Sequence, residues 1–312
     1  MPPKFLVLIL TVLASVTAAC GGVSGGSTGG DTRPTVAVTH SILGDVVEQA
    51  TGGQVEVVTI MGPNTDPHEF SPSARDVNKM QTADALIVNG GGFEVGLLDA
   101  IDGARADGVA TFEALAAVSP LDLPSGPDGS TGVDPHFFTD PARMADAVGG
   151  ITAFLAAEID DIDVAALQAA SDAYRAELLD LDAETEALLA PLPADDRILV
   201  TNHEVFGYFA DRYGLTVLGT VIPGGSTGGA ASASQLADLA DTIRDTGVAA
   251  IFVERSSASD LAETVAAEVG AVTVTPLFSE SLGEPGSGGA TYLELMRTNS
   301  SRIAAALGGE RS

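Results

Sequence analysis

One feature constrains the fold more than any other: short runs of β-branched and apolar residues alternate with helical patterns, twice over, on either side of one long helical stretch. Such alternation points to α/β architecture, because two parallel strands need a crossover between them and a helix is the usual one. From Thr35 onward, strands are expected near residues 35–39, 55–61, 85–89 and 109–112, with helices between them. The helix over 41–51 should stop at Gly52-Gly53, and the next, over 72–82, should begin with Ser71 as N-cap and Pro72 in its first turn. Segment 119–133 reads as a loop from its Pro and Gly content, after which Asp140-Pro141 opens a helix to about residue 158. The stretch 163–190 carries Leu167, Tyr174, Leu178, Leu181 and Leu188 at helical spacing. At the standard rise it would be about 42 Å long, enough for a rod between two lobes. After Pro191-Leu192-Pro193 the alternation resumes, with strands near 197–201, 215–222, 248–254 and 271–275 and helices near 205–213, 232–246, 257–269 and 290–307. The expected fold is therefore two parallel-sheet (β/α) lobes, 34–162 and 191–312, joined by a single long helix over 163–190. No short repeat period runs along the chain, which argues against a solenoid.

The first residues belong to a different category. Lys4, the apolar run Phe5 to Val16 and Thr17-Ala18-Ala19-Cys20 have the layout of a bacterial export signal over residues 1–20, and the apolar run is too short to span a bilayer. Cys20 is the only cysteine, so no intramolecular disulfide can form. Gly21-Gly22 follows it, and the stretch resembles the lipobox of bacterial lipoproteins, in which the cysteine becomes the acylated N-terminus; Thr17 departs from the usual aliphatic residue. Residues 21–33 form a Gly/Ser tract with nothing to bury, a flexible tether that makes sense if Cys20 is anchored. The expected location is extracytoplasmic, on the outer face of the cell membrane through a lipid at Cys20, with a soluble secreted or periplasmic form as the alternative. The chain holds 43 acidic and 14 basic residues, one of the latter in the export signal, so the processed chain is near −30 in formal charge. That balance disfavours nucleic acid and anionic lipid as partners.

Three of the four histidines fall in loops beside predicted strand or helix ends. His68 follows Asp66-Pro67 after the strand ending at Met61; His136 follows Asp134-Pro135 before the helix at 141; His203 comes directly after Ile198-Leu199-Val200-Thr201-Asn202. In open α/β sheets ligands bind outside the carboxyl ends of the strands, where loops carry the functional side chains. Asp-Pro-His occurs twice, each time presenting the imidazole from a proline-stiffened segment, which limits the entropy lost when a metal fixes the ring. Asp66 and Asp134 are candidates to orient those rings, as metal-bound histidines usually require. Any one of these histidines alone is more often an ordinary surface or core residue. Glu280, just past the last predicted strand, would complete a four-coordinate shell, although a lone glutamate in an acidic chain is more often simply solvated.

Gly62-Pro-Asn-Thr-Asp-Pro-His-Glu-Phe-Ser-Pro72, Asp134-Pro-His-Phe-Phe-Thr-Asp-Pro141, Thr201-Asn-His-Glu-Val-Phe-Gly-Tyr-Phe209 and the stretch Phe278–Gly283 together resemble the ligand motifs of the cluster 9, or A-I, substrate-binding proteins of metal ABC transporters. The resemblance covers about residues 35–307. It implies two lobes joined by one rigid helix, with a zinc or manganese ion in the interlobe cleft held by His68, His136, His203 and a residue at position 280, where the family usually has aspartate. Zinc-specific relatives tend to place histidine at the third ligand position and manganese-specific ones glutamate. His203 therefore favours zinc, with manganese as the alternative, and the neighbouring Glu204 leaves a register ambiguity. The resemblance further implies a monomer that delivers its metal to an ABC permease. Segment 119–133 lacks the histidine-rich loop of many zinc members, so delivery to this protein would be by mass action or by a separate metallochaperone. His40, at the end of the first strand, is not a family ligand and reads as structural. The family's Asn-Gly-x-x-x-Glu segment appears as Asn89 to Glu94, where turn geometry and helix capping are expected.

Catalysis is not expected. A zinc hydrolase would use three histidines and an open water position, but no His-Glu-x-x-His helix or Gly-x-Ser-x-Gly nucleophile motif is present. Nor does any segment resemble a dedicated adhesion surface, the other role some relatives have been given.

Overall fold

The computed structural model describes residues 33–124, 132–224, 231–255, 260–270 and 272–308. The export signal, most of the tether and Cys20 lie outside the described residues. Within them, strands β1 (Thr35–His40), β2 (Glu56–Met61), β3 (Ala85–Val88) and β4 (Ala110–Glu113) form one sheet in the order β2-β1-β3-β4. A second sheet holds β5 (Ile198–Thr201), β6 (Thr216–Thr220), β7 (Ala250–Glu254) and β8 (Thr273–Leu277) in the order β6-β5-β7-β8. Every pairing in both sheets is parallel. The two orders are the same when numbered from each half's first strand. Each sheet therefore reverses direction beside that first strand, and a crevice opens there at the carboxyl ends.

Helices α1 (Ser41–Thr51), α2 (Ala74–Gln81) and α3 (Leu98–Ala106) belong to the first half, and α4 (Pro141–Glu158) and α5 (Val164–Leu189) lead to the second, which carries α6 (Gly207–Tyr213), α7 (Ala233–Thr246), α8 (Asp260–Val269) and α9 (Tyr292–Leu307). Helix α1 ends at Gly52 in the left-handed region (φ 56°), a conformation a side chain would strain. Helix α2 starts two residues later than expected. Ser73, not Ser71, is its N-cap, because Ser73 and Asp76 satisfy each other's backbone N–H in a capping box, which leaves Pro72 in the extended run before it. Asp140 caps α4, accepting from Ala142 N at 2.9 Å and Arg143 N at 3.2 Å ahead of the well-placed Pro141.

Helix α5 has 26 residues and buries Leu167, Ser171, Tyr174, Leu178, Leu181, Asp182, Thr185 and Leu189 on one stripe. Leu188 is exposed and Leu189 takes the core position instead, as the 3.6-residue period requires after Thr185. Strand β8 runs two residues beyond the expected end, through Pro276. As an edge strand it pairs only with β7, so the missing proline N–H costs no ladder bond on its open side.

A single apolar core runs through both halves. It joins β1 and β3 with α1, α4, α5 and α9 and continues to Leu199, Phe209, Phe252 and Leu277. Two satellite cores lie under the outer helices, one around Met61, Met80, Leu86 and Ile101, the other around Val200, Leu239, Ile243 and Val253.

Candidate metal centre

All four residues singled out from the sequence come together. One ligand atom from each of His68, His136, His203 and Glu280 lies within 4.8 Å of the others. Each side chain sits just beyond the carboxyl end of a sheet or in a loop facing it: His68 after β2, His203 two residues after β5, Glu280 three after β8, and His136 at the start of the turn 137–139 that leads into α4. The convergence is narrow. Glu280 Oε1 is 2.7 Å from His68 Nε2 and 3.2 Å from His136 Nε2, both hydrogen bonds. His203 Nε2 comes within 3.2 Å of the same oxygen without a hydrogen-bonding alignment. Ligand atoms of a tetrahedral zinc site, at bonds of about 2.0–2.1 Å, stand roughly 3.3 Å apart, so these distances are a few tenths of an ångström short of a metal shell.

The cluster is dry. Side-chain exposure is 3% for His68, 0% for His136, 1% for His203 and 3% for Glu280. Burial alone would keep Glu280 neutral. The charge of His203 and close contacts from His136, His203 and His68 outweigh it and hold the carboxyl well below the usual carboxylate range. Burial likewise works against charge on His136, yet Asp134 and Glu280 prevail and hold its pKa up at about 9. A cluster of imidazoles around one carboxylate is thus arranged to carry positive charge at its centre, which a divalent cation supplies directly.

The two Asp-Pro-His segments share one device and differ in another. Asp66 Oδ1 accepts from His68 N at 2.9 Å, and Asp134 Oδ1 accepts from His136 N at 2.9 Å, so each aspartate folds its loop around the proline in the same way. Only Asp134 Oδ1 also reaches a ring nitrogen, His136 Nδ1 at 2.7 Å, which leaves Nε2 facing the cluster. His68 Nδ1 has no hydrogen-bond partner among the described residues.

At the third position His203 points into the cluster, while Glu204 turns toward Thr220, whose hydroxyl is 3.5 Å away. His40 stands beside the cluster as a buried aromatic filler, with ring centroids 4.9 Å from Phe93 and 5.7 Å from Phe138, and burial pushes its pKa down to about 3. The Asn89–Glu94 segment makes the expected turn, with Gly90, Gly91 and Gly92 all at positive φ. Glu94 caps no helix, however. It is buried and accepts from Thr39 Oγ1 at 2.7 Å and from Asn89 N at 2.5 Å, while Asn89 Nδ2 donates to the Pro135 carbonyl at 2.9 Å. The segment therefore braces the loop that carries His136.

The bonds that close the cleft leave no mark in the sequence. Asn64 N donates to the Leu282 carbonyl at 2.9 Å and Asn64 Nδ2 to Glu284 Oε1 at 3.1 Å, joining the His68 loop to the Glu280 loop. Tyr208, at the start of α6, donates to the Asp134 carbonyl at 2.7 Å. Partners more than seventy residues apart leave no local signal; only the positive φ of Asn64 (56°) had one, in the turn-forming Gly-Pro-Asn run.

The pattern of the family described as zinc-uptake complex component A, periplasmic, matches residues 36–306. A zinc-binding protein, TroA, of Treponema pallidum is 30% identical over 282 residues, covering 88% of this chain and 89% of its own. The solved structure of that periplasmic zinc-binding protein superposes with a TM-score of 0.80 at 29% identity, covering 88% of this chain and 99% of the other. A manganese-binding lipoprotein, MntA, of Bacillus subtilis is 31% identical over 280 residues, covering 87% of this chain and 89% of its own. A site of three imidazoles and a carboxylate at the mouths of two parallel sheets, on a chain matched almost end to end, carries one conclusion: the chain belongs to the zinc-uptake component A family, the substrate-binding proteins of metal ABC transporters, and is not an enzyme.

Proposed function

We propose that this protein captures one zinc ion outside the cytoplasm through His68 Nε2, His136 Nε2, His203 Nε2 and the Glu280 carboxylate, and hands it to an ABC permease for import. The observation that carries the reading is the convergence of three Nε2 atoms on a single carboxylate oxygen within 3.2 Å. A shell of three imidazoles and one carboxylate suits zinc, whereas manganese prefers oxygen ligands. Manganese remains the second reading, because relatives named for manganese match this chain as well as those named for zinc. In this reading Asp134 orients the His136 ring and Asp66 shapes the His68 loop. Residues 34–162 and 191–312 act as lobes about the helix 163–190, and a lipid on Cys20 keeps the monomeric protein at the outer face of the membrane.

The test is metal analysis after chelation and reloading with zinc and manganese in competition. One zinc per chain is expected, lost in His68→Ala, His136→Ala and His203→Ala and weakened less in Glu280→Ala. Retention of manganese with no stoichiometric zinc would overturn the zinc assignment.

A further inference from the structure

We propose that Gly207 and Tyr208, at the start of α6, are positioning residues that hold the His136 imidazole in place from across the cleft, acting through Asp134. The inference rests on His136 being a metal ligand.

The Tyr208 side chain is fully buried, and its hydroxyl uses both hydrogen-bonding capacities on the opposite lobe: it donates to the Asp134 carbonyl at 2.7 Å and accepts from Leu121 N at 3.0 Å. The Arg143 guanidinium, from the first turn of α4, covers the ring at 4.9 Å and reaches Asp211 of α6 at 2.8 Å, so the contact is braced on its outer side. The adjacent residue closes the other side of Asp134. A Cβ on Gly207 would stand 2.6 Å from Asp134 Oδ2, closer than side chains approach, so only glycine lets that carboxylate lie against the helix. Asp134 is thereby held at its carbonyl by Tyr208 and has its Oδ2 in the space a Gly207 side chain would fill, while Oδ1 takes the main-chain N–H and Nδ1 of His136.

A carboxylate fixed in this way sets the tautomer and tilt of the ring it bonds, which decides where Nε2 points. The same segment, His203 to Tyr208, thus presents one ligand of the cluster and aims another that belongs to the opposite lobe. Any displacement of α6 away from residues 121–136 removes His203 and, in the same movement, frees His136 from its orientation. Metal is then lost from two ligands together, which suits a carrier that must bind tightly and still release.

The experiment compares the unaltered full chain with Tyr208→Phe, Gly207→Ala and, as a control for stability alone, Tyr213→Phe, whose hydroxyl bonds Asp182 at 3.0 Å. Three quantities are read: the rate of zinc loss to excess chelator, the visible absorption of the cobalt(II) form, and the low-field proton resonance of His136 Nδ1–H. Tyr208→Phe should release zinc about 10-fold faster, alter the cobalt spectrum and weaken or shift the Nδ1–H signal, in line with the usual cost of losing an outer hydrogen bond at a metal site. Tyr213→Phe should lower thermal stability and leave all three unchanged. Wild-type values in Tyr208→Phe, or equal changes in Tyr213→Phe, would overturn the clamp even if Gly207→Ala fails to fold. Failure of the unaltered chain to bind zinc or cobalt stoichiometrically would remove the ligand reading itself and the clamp with it.

Discussion

The resemblance drawn from the sequence puts aspartate where this chain has Glu280, and the longer side chain of Glu280 reaches the centre of the cluster. It carries Oε1 into contact with all three Nε2 atoms, at 2.7, 3.2 and 3.2 Å. In Glu280→Asp the carboxylate would retract by roughly one carbon–carbon bond, about 1.5 Å. The two hydrogen bonds to His68 and His136 would then open beyond bonding distance in the metal-free protein. Hydrogen bonds involving charged groups contribute about 1.5–3 kcal/mol each and do not add fully, so a loss of about 3 kcal/mol in metal-free stability is expected. A zinc ion would bridge the widened gap with bonds of about 2 Å to each side. The metal-bound state should therefore lose little, and the difference should return as zinc affinity, roughly 100-fold tighter at about 1.4 kcal/mol per decade. Calorimetric melting of metal-free protein, paired with zinc competition against a chelator of known affinity, measures both arms. A fall of roughly 6 °C in the metal-free midpoint is expected from the stability change. An unchanged metal-free midpoint, or weaker zinc binding, would refute the argument that Glu280 stabilises the empty cluster at the expense of the loaded one.

The charge of the cluster, the brace at Glu94 and the cysteine of the export region each give a further test. The folded pKa of His136, at about 9, lies above its unfolded value near 6.5, so its contribution to metal-free stability, about 3 kcal/mol, is complete below pH ~6.5 and is lost as pH rises through 9. Glu280 is depressed, so its contribution is present above pH ~4.5 and is lost as pH falls through its folded value. Zinc must displace the His136 proton, so titrations at pH 7 in buffers of different ionisation enthalpy should show proton release, and buffer-independent heats would contradict this. Glu94→Ala leaves the buried Thr39 hydroxyl and Asn89 N–H without their acceptor, an expected loss of about 2–5 kcal/mol, with zinc affinity falling too because Asn89 braces Pro135; Glu94→Gln should restore most of both. Cys20→Ser should move the exported protein from the membrane to the soluble fraction, and persistence in the membrane fraction would end the lipid-anchor reading.

The fold was legible because its rhythm is local. Alternation, Gly52 as a helix stop and Asp140-Pro141 as a start each act over a few residues, and each appears where the sequence places it. Two boundaries moved for reasons equally local but easy to misjudge. Ser73 competes with Ser71 for the cap of α2 and wins through Asp76, and Pro276 is tolerated because β8 is an edge strand, a fact only the assembled sheet reveals. The three histidines were visible through their loops, and Glu280 only through its place after a strand. What no local pattern encodes is the set of contacts between distant segments. The tyrosine at 208 looks like any core aromatic on α6 until its hydroxyl is seen against Asp134. Glu94 looks like a capping residue until its carboxylate is seen against Thr39 and Asn89.

Those distant contacts also bear on how the metal passes. The four side chains of the cluster are at most 3% exposed, so a cation reaches them only if something moves. Swinging the halves apart as rigid bodies is the costly route. The main core runs through both, α5 is tied to α6 where Asp182 receives Arg212 and the Tyr213 hydroxyl, and Tyr292 bonds the Phe138 carbonyl at 2.7 Å and Asp45 at 2.7 Å. Uncovering that core would cost about 25 cal/mol for every Å² of apolar surface exposed. The loop carrying Glu280 meets the first half through Asn64 to Leu282 and Glu284, through Leu282 N to Ser41 Oγ at 3.0 Å, and through Glu280 itself to His68 and His136. The backbone and hydroxyl bonds among these can exchange with water at small net cost, whereas those to the buried Glu280 carboxylate cost more. The segment that makes these closing contacts is also the one that carries Glu280 into the cluster.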